Sequence, residues 1–284
     1  MTFFEAVVLG LVEGITEYLP ISSTGHLILA AWLLGLDDPA RSGAVDAFVV
    51  VVQGGAILAV LGLYRARVRH IAAGIAGRDE AGLRLAVRLL VAFLPAAGLG
   101  FLLDDVLEEK LFHTVPVLLA LAVGGVVMIA IGRRAPRAGA PGSLDDLTIR
   151  QALFVGLLQC FALWPGTSRS MTTIVGGTLV GLPPAAAAEF SFLLAVPTLG
   201  AACTYRLAAD LAAAFRDGTP TMFAMLGAAP VITGILVATV SAALAVRWLV
   251  GFLGRRGLAP FGWYRIALAA LLALLIAGGL LHVD

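Results

Sequence analysis

The sequence predicts an all-α integral membrane protein: an inverted-topology repeat of six transmembrane helices plus two re-entrant helix-turn-helix hairpins. Three observations predict it. First, 60% of the 284 residues are hydrophobic and 13% charged, with a mean hydropathy of +1.00, whereas a soluble domain carries roughly a quarter charged residues. Second, six apolar segments, at about 46–64, 84–103, 114–132, 186–206, 222–248 and 262–282, are long enough to cross a bilayer, which takes about 20 residues. Third, the four remaining apolar segments, at about 1–18, 24–36, 148–163 and 171–182, are short and come as two pairs, broken near Pro20 and Pro165.

This composition excludes a soluble enzyme. A net charge of +1 without a basic, aromatic-laced patch excludes nucleic acid as a partner. Cys160 and Cys203 lie in apolar stretches and read as small core residues, not as a disulfide or a metal pair. The first 40 residues hold no Lys or Arg, so a secretory signal with a basic n-region is not expected.

The two short pairs head two similar halves, repeat one over 1–135 and repeat two over 146–284. Leu19-Pro20-Ile21-Ser22-Ser23-Thr24 aligns with Trp164-Pro165-Gly166-Thr167-Ser168-Arg169 at an offset of 145. Asp46-Ala47-Phe48 likewise aligns with Glu189-Phe190-Ser191 at an offset of 143. Each half is one broken pair followed by three long helices, and an odd number of crossings inverts the second half. The charges agree with this topology. Arg65, Arg67, Arg69, Arg78 and Arg84 form one basic loop, Arg133, Arg134 and Arg137 a second, and Arg247, Arg255 and Arg256 a third. Lys/Arg-rich loops are cytoplasmic. The acidic loop 104–113, the loop 207–220 and both termini are then expected outside. Hairpins entering from opposite faces can meet near the midplane, where irregular backbone is tolerated only if buried or lining a polar cavity.

The chemistry is concentrated at the two breaks. Glu13 and Glu17 are spaced i, i+4 and share one helix face. Pro20 ends that helix, and Ser22, Ser23 and Thr24 can cap a second one starting near Gly25. Ser23 and His26 are one turn apart. Ionisable groups at bilayer depth are expensive and mark functional sites, so this cluster reads as a place for a cation and an anion together. In the second break, Gly166 frees the backbone, Thr167, Ser168 and Ser170 supply hydroxyls, and Arg169 supplies a guanidinium fork matched to phosphate oxygens. The combination suits a metal-chelated phosphate. Gln53 and Ser191 are candidate polar groups behind the site, with packing hydrogen bonds an equal alternative. Trp164, Trp248 and Trp263 read as interfacial anchors or hairpin packing.

The stretches Glu13 to His26 and Trp164 to Ser170, together with Glu189-Phe-Ser-Phe-Leu-Leu-Ala-Val-Pro197, resemble the undecaprenyl-pyrophosphate phosphatase family associated with bacitracin resistance. The resemblance covers essentially the whole chain. It implies a hydrolase of the bacterial plasma (inner) membrane. Such an enzyme removes the terminal phosphate of the C55 lipid diphosphate and so recycles the carrier lipid for peptidoglycan synthesis. It also implies a divalent cation, a site opening on the outer, periplasmic side, and a homodimer surrounded by membrane lipids. The chain departs from the family where Met171 follows Ser-Arg-Ser in place of the usual glycine, which bears on how closely the backbone wraps the phosphate.

On this reading Glu13 and Glu17 hold the cation, Mg²⁺ or Ca²⁺, which neutralises them and bridges diphosphate oxygens. Arg169 binds the phosphate, helped by Ser22, Thr24, Gly25, Thr167, Ser168 and Ser170. Ser23 is the nucleophile with His26 or Glu17 as its base; attack by His26 or by water is the competing version. A transporter that flips polyprenyl phosphate is the alternative function, because inverted repeats with broken helices meeting at the midplane are also a transporter architecture.

Overall fold

The computed structural model describes residues 1–36, 42–111, 113–132 and 142–279, and within them every regular element is helical. The first short pair is α1 (Phe3–Thr16) and α2 (Ser23–Leu33). Thr2 and Glu5 start α1 with a reciprocal capping box. Two long helices, α3 (Ser42–Leu63) and α5 (Glu80–Leu111), flank the amphipathic α4 (Arg65–Ile75), and α6 (Thr114–Ile131) closes the first half. The second half opens with α7 (Ile149–Gln159), one 3₁₀ turn at Cys160–Leu163, and α8 (Arg169–Leu179). Then follow α9 (Pro184–Asp217), the single-turn α10 (Met222–Leu226), α11 (Ala228–Arg256) and α12 (Ala259–Ala277).

Among the described residues, five helical stretches are long and apolar enough to cross a membrane: Gly43–Leu63, Glu80–Leu103, Pro184–Asp217, Ala228–Arg256 and Ala259–Ala277. The sixth expected span, 114–132, forms a helix of 18 residues and falls with the shorter apolar helices. Several expected loops are helical. The basic 65–84 segment is mostly α4 and the start of α5, the acidic segment continues α5 to Leu111, and α9 runs through the expected loop 207–220 as far as Asp217. In the last two cases the apolar run ends before the helix does. Hydropathy reports where a segment meets water, whereas the backbone hydrogen-bond ladder can continue among charged residues. The expected cluster Arg133, Arg134 and Arg137 lies outside the described residues.

Helices from early and late in the chain pack against one another. α1 packs on α11, and α7 packs on α5, so each short pair lies against a long helix distant in sequence. α3 meets α9, and α6 meets α12. The α1–α11 contact is backbone to backbone. A Cβ built on Gly10 would lie 2.5 Å from the Gly234 carbonyl oxygen, and one on Gly14 would lie 2.4 Å from that of Ala238. The Ser241 hydroxyl also donates to the Gly10 carbonyl at 3.3 Å. This close approach sets the depth at which Glu13 and Glu17 leave the end of α1.

Replacing Gly14 by Val should force α1 off α11 and lower stability by about 1–3 kcal/mol, the usual cost of overpacking. Thermal unfolding of the detergent-solubilised protein checks this; an unchanged midpoint would show that the crossing has slack.

Candidate active site

The two breaks between short helices have one design. α1 stops at Thr16, with Glu17 as its C-cap, and Pro20 prevents its continuation. α7 tightens into the 3₁₀ turn and is stopped at Pro165. In both turns the residue that caps the next helix is a serine with positive φ: Ser22 at φ 73° and Ser168 at φ 75°. These are the two non-glycine residues with positive φ among the described residues. Such backbone costs of order 1–3 kcal/mol and persists because the surroundings fix it. Each Oγ accepts the amide three residues on, Ser22 from Gly25 at 3.5 Å and Ser168 from Met171 at 3.3 Å.

Matching the caps gives an offset of 146, one more than the sequence alignment. The second turn is one residue longer, and Gly166 absorbs it at φ 90°, where a Cβ would lie 2.6 Å from the Val117 carbonyl oxygen. Met171, where the resemblance led us to expect glycine, is an ordinary buried helical residue whose amide completes the α8 cap.

Glu17 and Arg169 meet where the turns face each other. Glu17 Oε1 accepts from Arg169 Nη2 at 2.7 Å, and Oε2 accepts from Ser23 Oγ at 2.7 Å. One carboxylate therefore joins the hydroxyl of the first turn to the guanidinium of the second. Arg169 Nη1 donates to the Ser191 carbonyl at 3.0 Å, and its Cζ lies 5.6 Å from the centre of the Tyr18 ring. Tyr18 is itself fixed by its hydroxyl on the Ala56 carbonyl at 2.8 Å. Ser191 Oγ and Thr173 Oγ1 are 2.6 Å apart, which steadies the wall behind the guanidinium.

Three buried side-chain nitrogen and oxygen atoms lack a hydrogen-bond partner among the described residues: both carboxylate oxygens of Glu13 and Nε of Arg169. Glu13 is fully buried one turn before Glu17, and the charges of Glu17 and Arg169 both act on it. Two orphaned acceptors beside an orphaned donor make a site that is incomplete in both signs. Hard oxygen donors from Glu13 and Glu17 fit Mg²⁺ or Ca²⁺; the described residues hold no cluster of three His, Cys, Asp or Glu that could act alone.

Other expected site residues have different surroundings. His26 Nδ1 lies 2.6 Å from the Ser22 carbonyl, which can only accept, so Nδ1 carries a proton. Its Nε2 lies 2.6 Å from the Tyr264 hydroxyl, and the two rings stack with centroids 5.7 Å apart. Both ring nitrogens are thus engaged away from Ser23, and the carboxylate of Glu17 takes the hydroxyl contact for which either residue was a candidate. Ser170 Oγ donates to the Leu19 carbonyl at 2.9 Å and is fully buried, so it ties the second turn to the first. Ser168 Oγ then donates to Ser170 Oγ at 3.0 Å. Thr167 and Gly25 are buried, Thr24 is half-buried, and Gln53 sits half-buried on α3 without a bond to this cluster.

Sequence reasoning missed Tyr18, Thr173, Tyr264 and Arg265. Of these, Arg265 had a readable signal: a lone charge within the apolar α12.

An open apolar groove of about 790 Å³ leads along α1, α2 and α12, with Thr16, His26 and Tyr264 as its polar members. A second apolar cavity of about 360 Å³ lies along α6, α7 and α8, bordered by Trp164, Thr167 and Met171. The pattern is a polar cluster with flanking space for apolar chains. Residues 6–271 match the family described as bacitracin resistance protein BacA. The chain belongs to that family. It is similar to an undecaprenyl-diphosphatase of Sorangium cellulosum (strain So ce56), 48% identical over 95% of this chain and 85% of that one. Similar too are the undecaprenyl-diphosphatase of Nitrosospira multiformis, 43% identical over 98% and 96%, and undecaprenyl-diphosphatase 2 of Rhodospirillum rubrum, 46% identical over 93% and 91%.

The caps predict an asymmetry in mutants. Ser168→Ala should lose about 1 kcal/mol for the missing cap and keep the unfavourable φ, while Ser168→Gly should be nearly neutral because glycine relieves the backbone. Thermal unfolding of both variants checks the order; an Ala variant as stable as the Gly variant would contradict it.

Proposed function

We propose that this membrane protein hydrolyses undecaprenyl diphosphate to undecaprenyl phosphate and inorganic phosphate, recycling the carrier lipid for peptidoglycan synthesis. Family membership and the names of the relatives support the reaction. The observation that carries the mechanism is the Glu17 carboxylate, which holds Ser23 Oγ on one oxygen and Arg169 on the other, each at 2.7 Å.

In the proposed reaction Ser23 Oγ attacks the terminal phosphorus, and its proton passes to Glu17 Oε2 along the existing hydrogen bond. The bond between that phosphorus and the bridging oxygen breaks, so lipid monophosphate leaves with the electron pair. Water then attacks the phosphorus of the phosphoserine, the bond from phosphorus to Ser23 Oγ breaks, Glu17 returns its proton to Oγ, and inorganic phosphate leaves. Arg169 has an unused Nε–H that offers a charge-assisted bond to a phosphate oxygen. The amide-rich starts of α2 and α8 add positive ends of helix dipoles. His26, joined to Tyr264 at the head of the apolar groove, orients the substrate and is not the nucleophile. Glu13 and Glu17 would hold the divalent cation, which when bound neutralises diphosphate charge.

The reading includes the inverted repeat. Its support is the matched serine caps, the four short helices and the crossed packing of α1 on α11 and α7 on α5. With both hairpins re-entrant, α6 counts as the sixth crossing despite its 18 residues, since thinning or lesser tilt accommodates a short span. The homodimer, the external termini and the outward opening in the bacterial inner membrane rest on the family resemblance and the arginine pattern. The flippase reading has no comparable support, because the relatives are named for hydrolysis.

Purified protein in detergent should release inorganic phosphate from undecaprenyl diphosphate; none released, with lipid phosphate moved across liposomes instead, would favour a carrier. Ser23→Ala and Arg169→Ala should each lower kcat by at least about a hundredfold, the scale of a lost base or oxyanion contact, in protein that elutes as folded. Near wild-type turnover in either would remove the site. Excess EDTA should stop phosphate release and added Mg²⁺ or Ca²⁺ restore it; full activity in the chelator would remove the cation from the mechanism.

A further inference from the structure

Arg265 lies in the middle of α12, fully buried, and its fork ends on four backbone carbonyls. Nε donates to Leu121 at 3.2 Å and Nη2 to Ala120 at 2.9 Å, both on α6. Nη1 donates to Pro20 at 3.4 Å, and Nη2 also to Gly166 at 2.9 Å. Pro20 and Gly166 occupy the same place in the two turns, each two residues before the positive-φ serine. The side chain therefore joins corresponding points of both halves.

The surroundings are shaped for it. α6 crosses α12 at bare backbone: a Cβ on Gly262 would lie 2.5 Å from the Gly125 carbonyl oxygen, and one on Gly124 would lie 2.4 Å from Arg265 Nη2. Glycine at 124 leaves the volume that the guanidinium fills. The four groups that accept from Arg265 are backbone carbonyls, not carboxylates. A buried charge without a counter-ion is costly, so a residue that only filled space would be better apolar.

We infer that Arg265 is the positioning residue that sets the separation of the two turns, and with it the register of Ser23 and Glu17 against Arg169. The inference rests on the proposed hydrolysis. Ser23 follows Pro20 by three residues and Arg169 follows Gly166 by three, so a change in the gap between the two carbonyls is passed on to both reacting groups. Only a planar fork with donors in several directions reaches both turns and α6 together; an ammonium is a point donor at the end of a chain.

Three variants test this: Arg265→Lys, which keeps the charge, Arg265→Met, which keeps the bulk, and Gly124→Ala, which displaces the guanidinium without removing it. Each is followed by steady-state phosphate release from undecaprenyl diphosphate, thermal unfolding, and hydrogen exchange of the substrate-free protein. All three should lose kcat by about ten- to a hundredfold, the scale of a misplaced reacting group, with KM changed much less. Exchange should speed up in both turn segments, 18–23 and 164–169, while the unfolding midpoint stays close to wild type. Turnover retained by Arg265→Lys would show that charge alone matters and overturn the inference. So would faster exchange in one turn only, or failure of all three variants to fold, which would make Arg265 a support of the whole bundle. Exchange is read without substrate, so wild-type protein that releases no phosphate would sink the proposed hydrolysis and leave the turn-coupling result to stand or fall by itself.

Discussion

The structure depends on one buried ion pair, Glu17 with Arg169, made across two turns that are 152 residues apart in sequence. Removing two such charges from water costs several kcal/mol each, and their attraction offsets that only with good geometry and further hydrogen bonds. Those conditions are met by Ser23 on the carboxylate and by Ser191 and Tyr18 around the guanidinium. Two apolar residues would pack the same space at lower cost, so this pair is explained by what it does rather than by stability. The strained serines, the Ser170 bond to Leu19 and the four bonds of Arg265 all serve to bring two non-helical turns together inside an apolar bundle.

Packing of early helices against late ones is what makes such a meeting possible. A broken helix at bilayer depth leaves unpaired amides and carbonyls, and a single half has no way to satisfy them. Here the carbonyls of one turn are taken by side chains from the other half. Leu19 is bonded by Ser170, and Pro20 by Arg265. Gly10 and Gly14 on α1, facing Gly234 and Ala238 on α11, let the first pair sink deep enough for this to happen. Small residues at the crossings and polar residues at the breaks are two parts of one solution.

Much of this was legible in the sequence, for identifiable reasons. Helical spacing put Glu13 above Glu17, Pro20 and Pro165 located the breaks, and the density of polar groups in apolar sequence marked the site. The extents of helices were less legible, since α5 and α9 run on into charged sequence where hydropathy has already changed. The sequence alignment of the two breaks differs by one residue from the match of their serine caps because the extra residue of the second turn, absorbed at Gly166, is a fact about φ and not about similarity. His26 was one of two candidate bases because it lies one turn from Ser23, and that spacing says nothing about Tyr264, 238 residues beyond His26. Arg265 could have been singled out by the rule applied to Glu13, namely that an ionisable group within an apolar helix has a reason to be there. Its role in joining the turns needed the three-dimensional structure.

The unsatisfied atoms carry the remaining step. A folded protein leaves few buried polar groups without partners, and here those among the described residues fall at one place: two acceptors on Glu13 and one donor on Arg169. A purely structural cluster would have closed on itself, as the chain from Met171 through Ser168 and Ser170 to Leu19 does. Acceptors that stay open call for a cation or a proton, and a donor that stays open calls for an anion. The proposed cation, bound to a diphosphate, would answer both in a single ligand. The arrangement of missing bonds thus supports the proposed head group, and the apolar groove beside His26 offers room for an apolar chain.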